Sequence, residues 1–277
     1  MKRSLIISLI FLALFLGISE AGATPRYMSL APSTTEILFA LGLDKEIVGV
    51  SSYCDYPPEA VKKEKVGSFS QPNIEKILSL KPDYIFCTGI EQANIVVQLR
   101  KLNLNVFVAE PQNLDQLFAS IKEMGLITNR VKEAENIIMK MKQDIKEVSL
   151  KVALIPQEKR PRVFFEVWHD PLMTAGKGSL IDEMLTTAGG INIASDINRP
   201  YSIFSAEEVI KRDPDCIIIS YMDKNNPVDS VGRRFGWERI KAVKNKRIYN
   251  DIDQGFLLHP GPRTTQGIKE IYKRLYQ

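Results

Sequence analysis

The fold is decided by two matching stretches of sequence, NIEKILSLKPDYI at residues 73–85 and SAEEVIKRDPDCI at residues 205–217. In each stretch a helix-capping residue precedes a glutamate, an apolar pair, a Pro-Asp dipeptide and the start of an apolar run. The two glutamates, Glu75 and Glu207, are 132 residues apart, and the other shared positions keep that offset. The repeat predicts two pseudo-equivalent lobes. The alternative is that a helix, a Pro-Asp turn and a strand form a common local arrangement.

Strand-like and helix-like patterns alternate outward from these two units. The predicted strands are 27–30, 47–51, 84–87, 105–109, 163–167, 216–220 and 247–249, and the predicted helices are 37–41, 73–80, 93–102, 114–124, 179–188, 206–212 and 264–276. We expect a capping box over Ser33–Glu36 to begin the first helix and Gly42 to end it. A weaker echo follows Ser179, where the pattern ends at Gly189. Alternation of this kind favours mostly parallel sheets.

A long uninterrupted helical pattern separates the two halves. Residues 131–154 contain no glycine and no proline, and apolar residues recur there at helical spacing. About 24 residues at 1.5 Å each make a helix of about 36 Å, which is long for a helix inside one lobe. We therefore predict an α/β protein of two Rossmann-like lobes with mostly parallel sheets, bridged by one long α-helix. The predicted limits are 24–130 for the N-terminal lobe, 131–155 for the helix and 156–277 for the C-terminal lobe.

The first 23 residues differ from the rest of the chain. Met1–Arg3 is basic, Ser4–Ile18 is almost wholly apolar, and Ala21–Ala23 has the small residues of a cleavage site. This pattern predicts a secretory signal peptide over residues 1–23 and an exported protein. An uncleaved membrane anchor is the alternative, although the apolar run is shorter than the ~20 residues of a comfortable span.

Composition excludes several classes of protein. A chain of 277 residues that is 25% charged and 44% hydrophobic is typical of globular proteins rather than disordered ones. The net charge of +4 without a Lys/Arg block does not favour nucleic-acid binding. Three cysteines match no zinc motif. We expect Cys216 to be a buried strand thiol, and a bridge between Cys54 and Cys87 stays open as an alternative.

The sequence lacks the common catalytic signatures. It contains no Gly-x-Ser-x-Gly elbow, no P-loop and no Gly-x-Gly-x-x-Gly. The two histidines, His169 and His259, are too few for a histidine-rich metal site. A mixed site of both histidines with Asp170 or Asp253 is an alternative. The chain is expected to hold no metal or cofactor of its own, and a metal-dependent enzyme is kept as the alternative from another class.

Aromatic residues are concentrated in turn-like segments of both halves. Several follow predicted strands, where ligands of α/β sheets bind, and flat rings stack on planar ligands. Local loop packing is the alternative for each residue alone. The set is Tyr53, Phe69, Trp168, Tyr201 and Phe256.

The order of motifs resembles the periplasmic cobalamin-binding proteins of ABC importers, which belong to the helical-backbone (class III, Fe/cobalamin) substrate-binding proteins. Ferric-siderophore, haem and metal receptors belong to the same class. The resemblance implies two lobes bridged by one helix, little hinge motion and no catalysis. It covers the chain after residue 23 and rests on 26–49, 50–58, the Lys-Pro-Asp unit at 81–83, Met173–Lys177, Ala188–Ile193 and Gly261–Arg263.

The resemblance also implies roles for individual residues. Tyr53 corresponds to a corrin-contacting tyrosine, Phe69 and Tyr201 stand where that family has tryptophans, and Ala188 stands where it has a disulfide cysteine. The ligand-contacting loop here is about two residues longer and contributes Asp253, Gln254, Gly255, Phe256 and Leu257. His259 is a candidate axial ligand, with a loop histidine near the rim as the preferred alternative.

Two expectations concern partners. Glu75 and Glu207 correspond to the family's permease-docking glutamates, while each alone is also explained by the helix dipole. We expect a monomer that delivers cobalamin or a related corrinoid to the permease dimer and ATPase of an ABC importer. A haem or ferric-siderophore receptor is the alternative within the class.

Overall fold

The computed structural model describes residues 24–221 and 228–277. The predicted signal peptide, residues 1–23, lies outside these ranges. Within them, no helix is both long enough and apolar enough to cross a membrane. The described chain forms two α/β lobes, each built around its own sheet.

The strands and helices follow the predicted alternation closely. The strands are β1 Tyr27–Ser29, β2 Ile47–Val50, β3 Tyr84–Cys87, β4 Val106–Val108, β5 Arg162–His169, β6 Leu172–Ala175, β7 Ile191–Asn192, β8 Tyr201–Ile203, β9 Cys216–Ile219 and β10 Ile248–Tyr249. The helices are α1 Pro32–Ala40, α2 Ile74–Ser79, α3 Ala93–Lys101, α4 Leu114–Ile127, α5 Val131–Ala153, α6 Leu180–Thr187, α7 Ala206–Arg212, α8 Val228–Gly232, α9 Lys241–Lys244, α10 Gln254–Leu258 and α11 Thr264–Tyr276. Short 3₁₀ turns lie at Asp44–Glu46, Pro58–Lys62, Ile90–Gln92, Gln157–Lys159 and Trp237–Arg239.

The two sheets differ in the direction of their strands. The N-lobe sheet has the order β2-β1-β3-β4 and is entirely parallel. The C-lobe sheet has the order β10-β9-β5-β6-β8, with β7 paired to β5; β6 and β8 run antiparallel to their neighbours. The fold is thus α/β with mostly parallel sheets, as the alternation predicts.

Helix α5 bridges the lobes. Ala134 and Met141 pack into the N-lobe core, whereas Val148 and Val152 pack into the C-lobe core. One side of the helix is therefore shared by two hydrophobic cores along its length. The predicted bridging helix is confirmed, and the lobe limits at residues 130 and 156 stay predictions.

The repeat seen in the sequence returns as a repeated hydrogen-bond network. In each lobe an arginine at the first strand donates from its guanidinium to the helix C-terminal carbonyl and from its backbone N–H to the Asp of Pro-Asp. The residues are Arg26, Leu80 and Asp83 in the N-lobe and Arg162, Arg212 and Asp215 in the C-lobe. Lys81 and Asp213, one residue before each Pro-Asp, both adopt a left-handed φ, at 45° and 41°. The helix–strand units are therefore structurally equivalent.

The capping box predicted over Ser33–Glu36 is wrong. Helix α1 begins at Pro32, Ala31 is its N-cap, and no side chain caps it. Proline suits the first helical position because its fixed φ is already helical. Glu36 is buried inside the helix and binds Arg263 instead.

The disulfide alternative is also wrong, because all three cysteines are free and buried. The thiol of Cys54 lies 3.1 Å from both Thr35 Oγ1 and Ser51 Oγ. Cys216 lies in β9 with no exposed surface, as predicted. Burial raises the pKa of both Cys87 and Cys216 to about 12.

The antiparallel pairing of β6 with β8 was not predicted from the sequence. Tyr201, expected in a turn, lies in β8 at the edge of the C-lobe sheet and pairs with Ala175. Edge strands of three or four residues carry too little periodicity to stand out in a sequence. Tyr201 therefore lies in a sheet and not in a turn.

Candidate functional site

The loops after β2 and before α2 bring Tyr53 and Phe69 to one edge of the N-lobe. Ser52 joins the two loops, because its backbone N–H and its hydroxyl both donate to the carbonyl of Gly67 at 2.9 Å. Cys54 anchors the first loop in the core, while Tyr53 is 63% exposed. Phe69 is half-buried. The local structure thus presents Tyr53 while its neighbour is fixed.

Gln92 positions the Phe69 loop, a role that no sequence signal indicated. Its side-chain amide donates to the carbonyls of Leu30 at 2.9 Å and Phe69 at 2.8 Å. Its Oε1 accepts from the backbone N–H of Thr88 at 2.9 Å. Only 1% of Gln92 is exposed. A buried amide with three partners fixes the loop against the carboxyl ends of β1 and β3.

Gly67 is required by the backbone of the same loop. Its φ of +109° lies in the left-handed region, and a Cβ there would be 2.9 Å from the backbone nitrogen of Asn73. A side chain at this position would push the loop away from α2.

Trp168 lies at the carboxyl end of β5 in the C-lobe. Its indole N–H donates to the carbonyl of Asp170 at 2.8 Å, and its ring meets Tyr221 edge-on at 6.1 Å between centroids. The pairing of β5 with β6 is irregular between Glu166 and Trp168. Trp168 is half-buried, so part of its ring packs on the core and part is open.

A buried ion pair lies close to Trp168. Glu166 is fully buried, and its carboxylate accepts two hydrogen bonds from Arg234 at 2.6 and 2.7 Å. Burial raises the pKa of Glu166, and the hydrogen bonds and charge of Arg234 oppose that shift. The Arg234 guanidinium also lies 4.7 Å from the Trp237 ring centroid. Sequence reasoning missed this pair because its members are 68 residues apart.

Tyr201 of the C-lobe is affected by carboxylates of the N-lobe. The residue is 45% exposed at the edge of the C-lobe sheet. Burial raises the pKa of the Tyr201 hydroxyl, and the negative charges of Glu91 and Glu110 raise it further. Because those two residues belong to the N-lobe, the hydroxyl lies within electrostatic reach of the other lobe.

The segment Asp253–Leu257 divides into exposed and buried positions. Asp253 caps α10 by accepting from the backbone N–H of Gly255 at 2.7 Å. Asp253 and Gln254 are exposed, and Phe256 is half-buried. Leu257 is 3% exposed and belongs to the C-lobe core, because one face of the short helix packs inward. The contact of these five residues with a ligand stays a prediction.

Arg263 links this segment to the N-lobe. Its guanidinium donates to both oxygens of Glu36 at 2.6 and 2.7 Å, and both residues are buried. The guanidinium carbon lies 3.6 Å from the ring centroid of Tyr56 and 5.2 Å from the ring centroid of Phe256. Burial works against the Arg263 charge, but the hydrogen bonds and charge of Glu36 outweigh it and raise the pKa of Arg263. One side chain therefore contacts segments of both lobes.

His169 and His259 contact different groups of residues. His259 Nδ1 is 3.3 Å from Glu36 Oε1, beside the inter-lobe ion pair. His169 is exposed and lies next to the rings of Trp168 and Tyr221, at 5.0 and 5.3 Å. In the described part of the chain, no three His, Cys, Asp or Glu side chains are grouped to hold a metal ion. The mixed site with Asp170 or Asp253 is not assembled there.

A cavity of about 420 Å³ lies between α1, α5, the turn at Tyr56–Pro57 and the start of α11. Lys140, Asp144 and Arg263 contribute charges to its lining. None of Tyr53, Phe69, Trp168, Tyr201 and Phe256 lines it. Among the ring–ring contacts of the described residues, none joins these five to one another. The loops that carry Tyr53 and Phe69 are joined through Ser52 and Gly67, and a common cleft for the five rings stays a prediction.

Glu75 and Glu207 occupy the same position on α2 and α7, two residues after the caps Asn73 and Ser205. Both are exposed. Lysines on the same two helices form ion pairs with other residues, Lys76 with Glu64 and Lys211 with Glu208. Within the described residues neither glutamate has an ion-pair partner.

Comparison with known proteins places this architecture among transport proteins. Residues 28–254 match the periplasmic binding protein family. An uncharacterized ABC transporter substrate-binding lipoprotein of Bacillus subtilis is 34% identical over 256 residues, which cover 91% of this chain and 80% of the relative. The vitamin B12-binding protein of Salmonella paratyphi A is 35% identical over 199 residues, 72% of this chain and 73% of the relative.

A solved structure has the same fold. The periplasmic heme-binding protein of Roseiflexus sp. RS-1 in its apo form superposes with a TM-score of 0.80, is 27% identical, and the match covers 92% of this chain and 98% of that one. The repeated lobes, the bridging helix and the extent of these matches lead to one conclusion. The chain belongs to the periplasmic binding protein family and is a class III substrate-binding protein of an ABC importer.

Proposed function

We propose that the protein captures cobalamin or a related corrinoid in the periplasm and delivers it to the permease dimer and ATPase of an ABC importer. The observation that carries the proposal is the display of partly exposed aromatic rings in loops and strands of both lobes. Tyr53 and Phe69 belong to the N-lobe, and Trp168 and Tyr201 belong to the C-lobe. A corrin ring is broad and planar, and aromatic rings stack on such surfaces.

The name of a relative supports a corrinoid as the ligand. The Salmonella paratyphi A protein, 35% identical over 199 residues, is called a vitamin B12-binding protein. The loop of Tyr53 is held by Ser52 and Cys54, so the ring is presented by a fixed backbone. Pre-organised contacts of this kind reduce the entropy lost on binding.

Haem or a ferric siderophore is the second candidate. It is favoured by His169, an exposed imidazole beside Trp168, because imidazole is a common axial ligand of haem iron. A structural neighbour at 27% identity is called a heme-binding protein. His259 is the weaker axial candidate, since Glu36 occupies one side of its ring.

The remaining parts of the proposal concern location, assembly and turnover. We infer export by the predicted signal peptide, a monomer in solution, no resident cofactor and no catalysis. Glu75 and Glu207 are proposed to dock on basic residues of the permease, one per lobe. Their matching positions on α2 and α7 support a partner with two-fold symmetry.

Tryptophan fluorescence tests the ligand directly. The chain has only two tryptophans; Trp168 is half-buried at the proposed site and Trp237 is fully buried. Purified protein is titrated with cyanocobalamin, cobinamide, haem and ferrichrome, in wild type and in Trp168→Phe. The corrinoid proposal predicts saturable quenching by cyanocobalamin or cobinamide that is strongest for Trp168 and therefore reduced in the variant.

The alternatives give different results. Saturation by haem with a Soret shift, and none by corrinoids, would replace the corrinoid by haem. Saturation by ferrichrome alone would favour the siderophore. A metal-dependent enzyme would instead turn over a substrate and lose that activity with a chelator.

A further inference from the structure

The helices that carry Glu75 and Glu207 share a second feature, an apolar residue three positions later. Leu78 follows Glu75 on α2, and Ile210 follows Glu207 on α7. Residues three apart lie on the same face of a helix. Leu78 is 41% exposed, which leaves an apolar side chain beside an exposed carboxylate. Ile210 is half-buried, so something covers it in the C-lobe.

The turn at residues 235–236 covers Ile210. A Cβ on Gly236 would lie 3.0 Å from Ile210 Cδ1, and Gly236 adopts a left-handed φ of 82°. The preceding residue, Phe235, is 100% exposed. The C-lobe therefore also presents an apolar side chain next to the helix that carries its glutamate, supplied by Phe235 and not by the helix itself.

Both neighbours of the Phe235–Gly236 turn are anchored. Arg234 makes its two hydrogen bonds to the fully buried Glu166. Trp237 has no exposed surface, and its backbone N–H donates to the carbonyl of Arg234 at 3.0 Å. The Phe235 ring is thus attached to a short backbone segment that is fixed on both sides. Exposed single apolar residues are common, but this one is held in place next to α7.

We propose that Leu78 and Phe235 are apolar contacts of the docking surface, one per lobe beside the helices that carry Glu75 and Glu207, and that the importer's permease offers each lobe a basic side chain next to an apolar pocket. The proposal rests on the proposed function as a transporter component. Its support is the pseudo-symmetry of the two lobes and the negative charge on each face. Protein interfaces combine buried aromatic or aliphatic anchors with surrounding polar contacts in this way.

The test uses the reconstituted permease–ATPase complex of the cognate importer in liposomes. Full-length mature protein is added as wild type, Phe235→Ala, Leu78→Ala or both, and co-sedimentation and stimulated ATP hydrolysis are measured. Leu150→Ala, at a 60% exposed position on α5, is the matched control. We expect about a tenfold loss of apparent affinity for Phe235→Ala, a further loss in the double variant, and none for Leu150→Ala. Circular dichroism checks that the variants are folded.

Several results would overturn the proposal. If the Phe235→Ala/Leu78→Ala variant binds the permease-containing liposomes with wild-type affinity, neither residue belongs to the interface. A weakened titration with cyanocobalamin or haem in Phe235→Ala would assign the ring to the ligand site instead. If Glu207→Lys abolishes co-sedimentation while Phe235→Ala does not, docking through the glutamates stands and this inference fails. If the wild-type protein binds liposomes that contain the permease–ATPase complex no better than liposomes without it, the proposed function itself fails.

Discussion

Arg263 joins the two lobes through a bidentate ion pair with Glu36, a residue 227 positions earlier in the chain. The same guanidinium stacks on Tyr56, three residues after Tyr53, and lies near Phe256 of α10. A single buried charge pair thus touches the segments that carry proposed ligand contacts in both lobes. It supplies a specific contact between the lobes in addition to α5.

Replacing Arg263 by methionine should destabilise the protein by about 3–5 kcal/mol, because it leaves the buried carboxylate of Glu36 without its partner. The double change Glu36→Leu with Arg263→Met removes both charges and should be less destabilising than Arg263→Met alone. Urea unfolding of Glu36→Leu, Arg263→Met and the double variant measures the coupling energy between the two residues. Additive effects, or a change below about 1 kcal/mol for Arg263→Met, would contradict the role assigned to the pair.

Local signals explain why most elements could be predicted. Asn73, Asn113, Ser179 and Ser205 each accept a hydrogen bond from the backbone N–H three residues later, which is the capping contact that their sequence positions indicate. The helix and its cap are set within a few residues, so no distant partner is needed. The bridging helix was predictable because the absence of breakers is visible along one stretch.

Distant partners explain what could not be predicted. Ser33–Glu36 has the form of a capping box, yet Glu36 is held by Arg263 from the other lobe, and nothing near residue 36 indicates that contact. The side-chain amide of Gln92 likewise donates hydrogen bonds to backbone carbonyls that are 23 and 62 residues away in the chain. The aromatic set was chosen by residue type and by position after predicted strands, so a common cleft for its five rings stays a prediction.

The ring of Tyr201 should contribute more to ligand binding than its hydroxyl. Tyr201→Ala or Trp168→Ala is expected to weaken corrinoid binding by about 1–3 kcal/mol, the scale of a lost stacked aromatic contact. Tyr201→Phe keeps the ring and is the matched control, with affinity close to wild type. Calorimetric titration with cyanocobalamin gives the three values. Equal affinities for wild type and both alanine variants would move the site elsewhere.

His259 is expected not to coordinate the metal of the ligand. Its Nδ1 lies 3.3 Å from Glu36 Oε1, so the ring is oriented by the inter-lobe ion pair. The visible spectrum of bound cyanocobalamin or haem should be the same in His259→Ala as in wild type. A shifted Soret or corrin band in this variant, absent from His169→Ala, would assign the axial role to His259 after all.

The buried thiols predict a loss of stability in alkali. The pKa of Cys87 and of Cys216 is raised by burial from 9.0 to about 12. Above pH 9 the unfolded thiols lose their protons while the folded ones keep them. Stability that is complete below pH 9 should therefore fall between pH 9 and 12, by about 1.4 kcal/mol per pH unit for each thiol. Urea unfolding at several pH values, with Cys87→Ala/Cys216→Ala as control, measures the slope, and equal slopes would contradict the shifts.

Charge reversal at both proposed docking positions should abolish transport and leave ligand binding intact. Glu75 and Glu207 are exposed, unpaired within the described residues, and equivalent in the two lobes. A desolvated charge pair at an interface couples by about 1.5 kcal/mol or more, and a lysine in place of each glutamate would repel a basic pocket. The double variant Glu75→Lys/Glu207→Lys should therefore bind cyanocobalamin normally but fail to support corrinoid uptake in cells.

The control for this last change keeps the same net charge. Glu123→Lys/Glu135→Lys reverses two exposed glutamates on α4 and α5, so any general effect of added positive charge on export or solubility appears in both double variants. Loss of uptake only in Glu75→Lys/Glu207→Lys places the permease on the face shared by α2 and α7. Normal uptake in that variant would return both glutamates to the ordinary role of acidic residues in the first turn of a helix, where they complement the helix dipole.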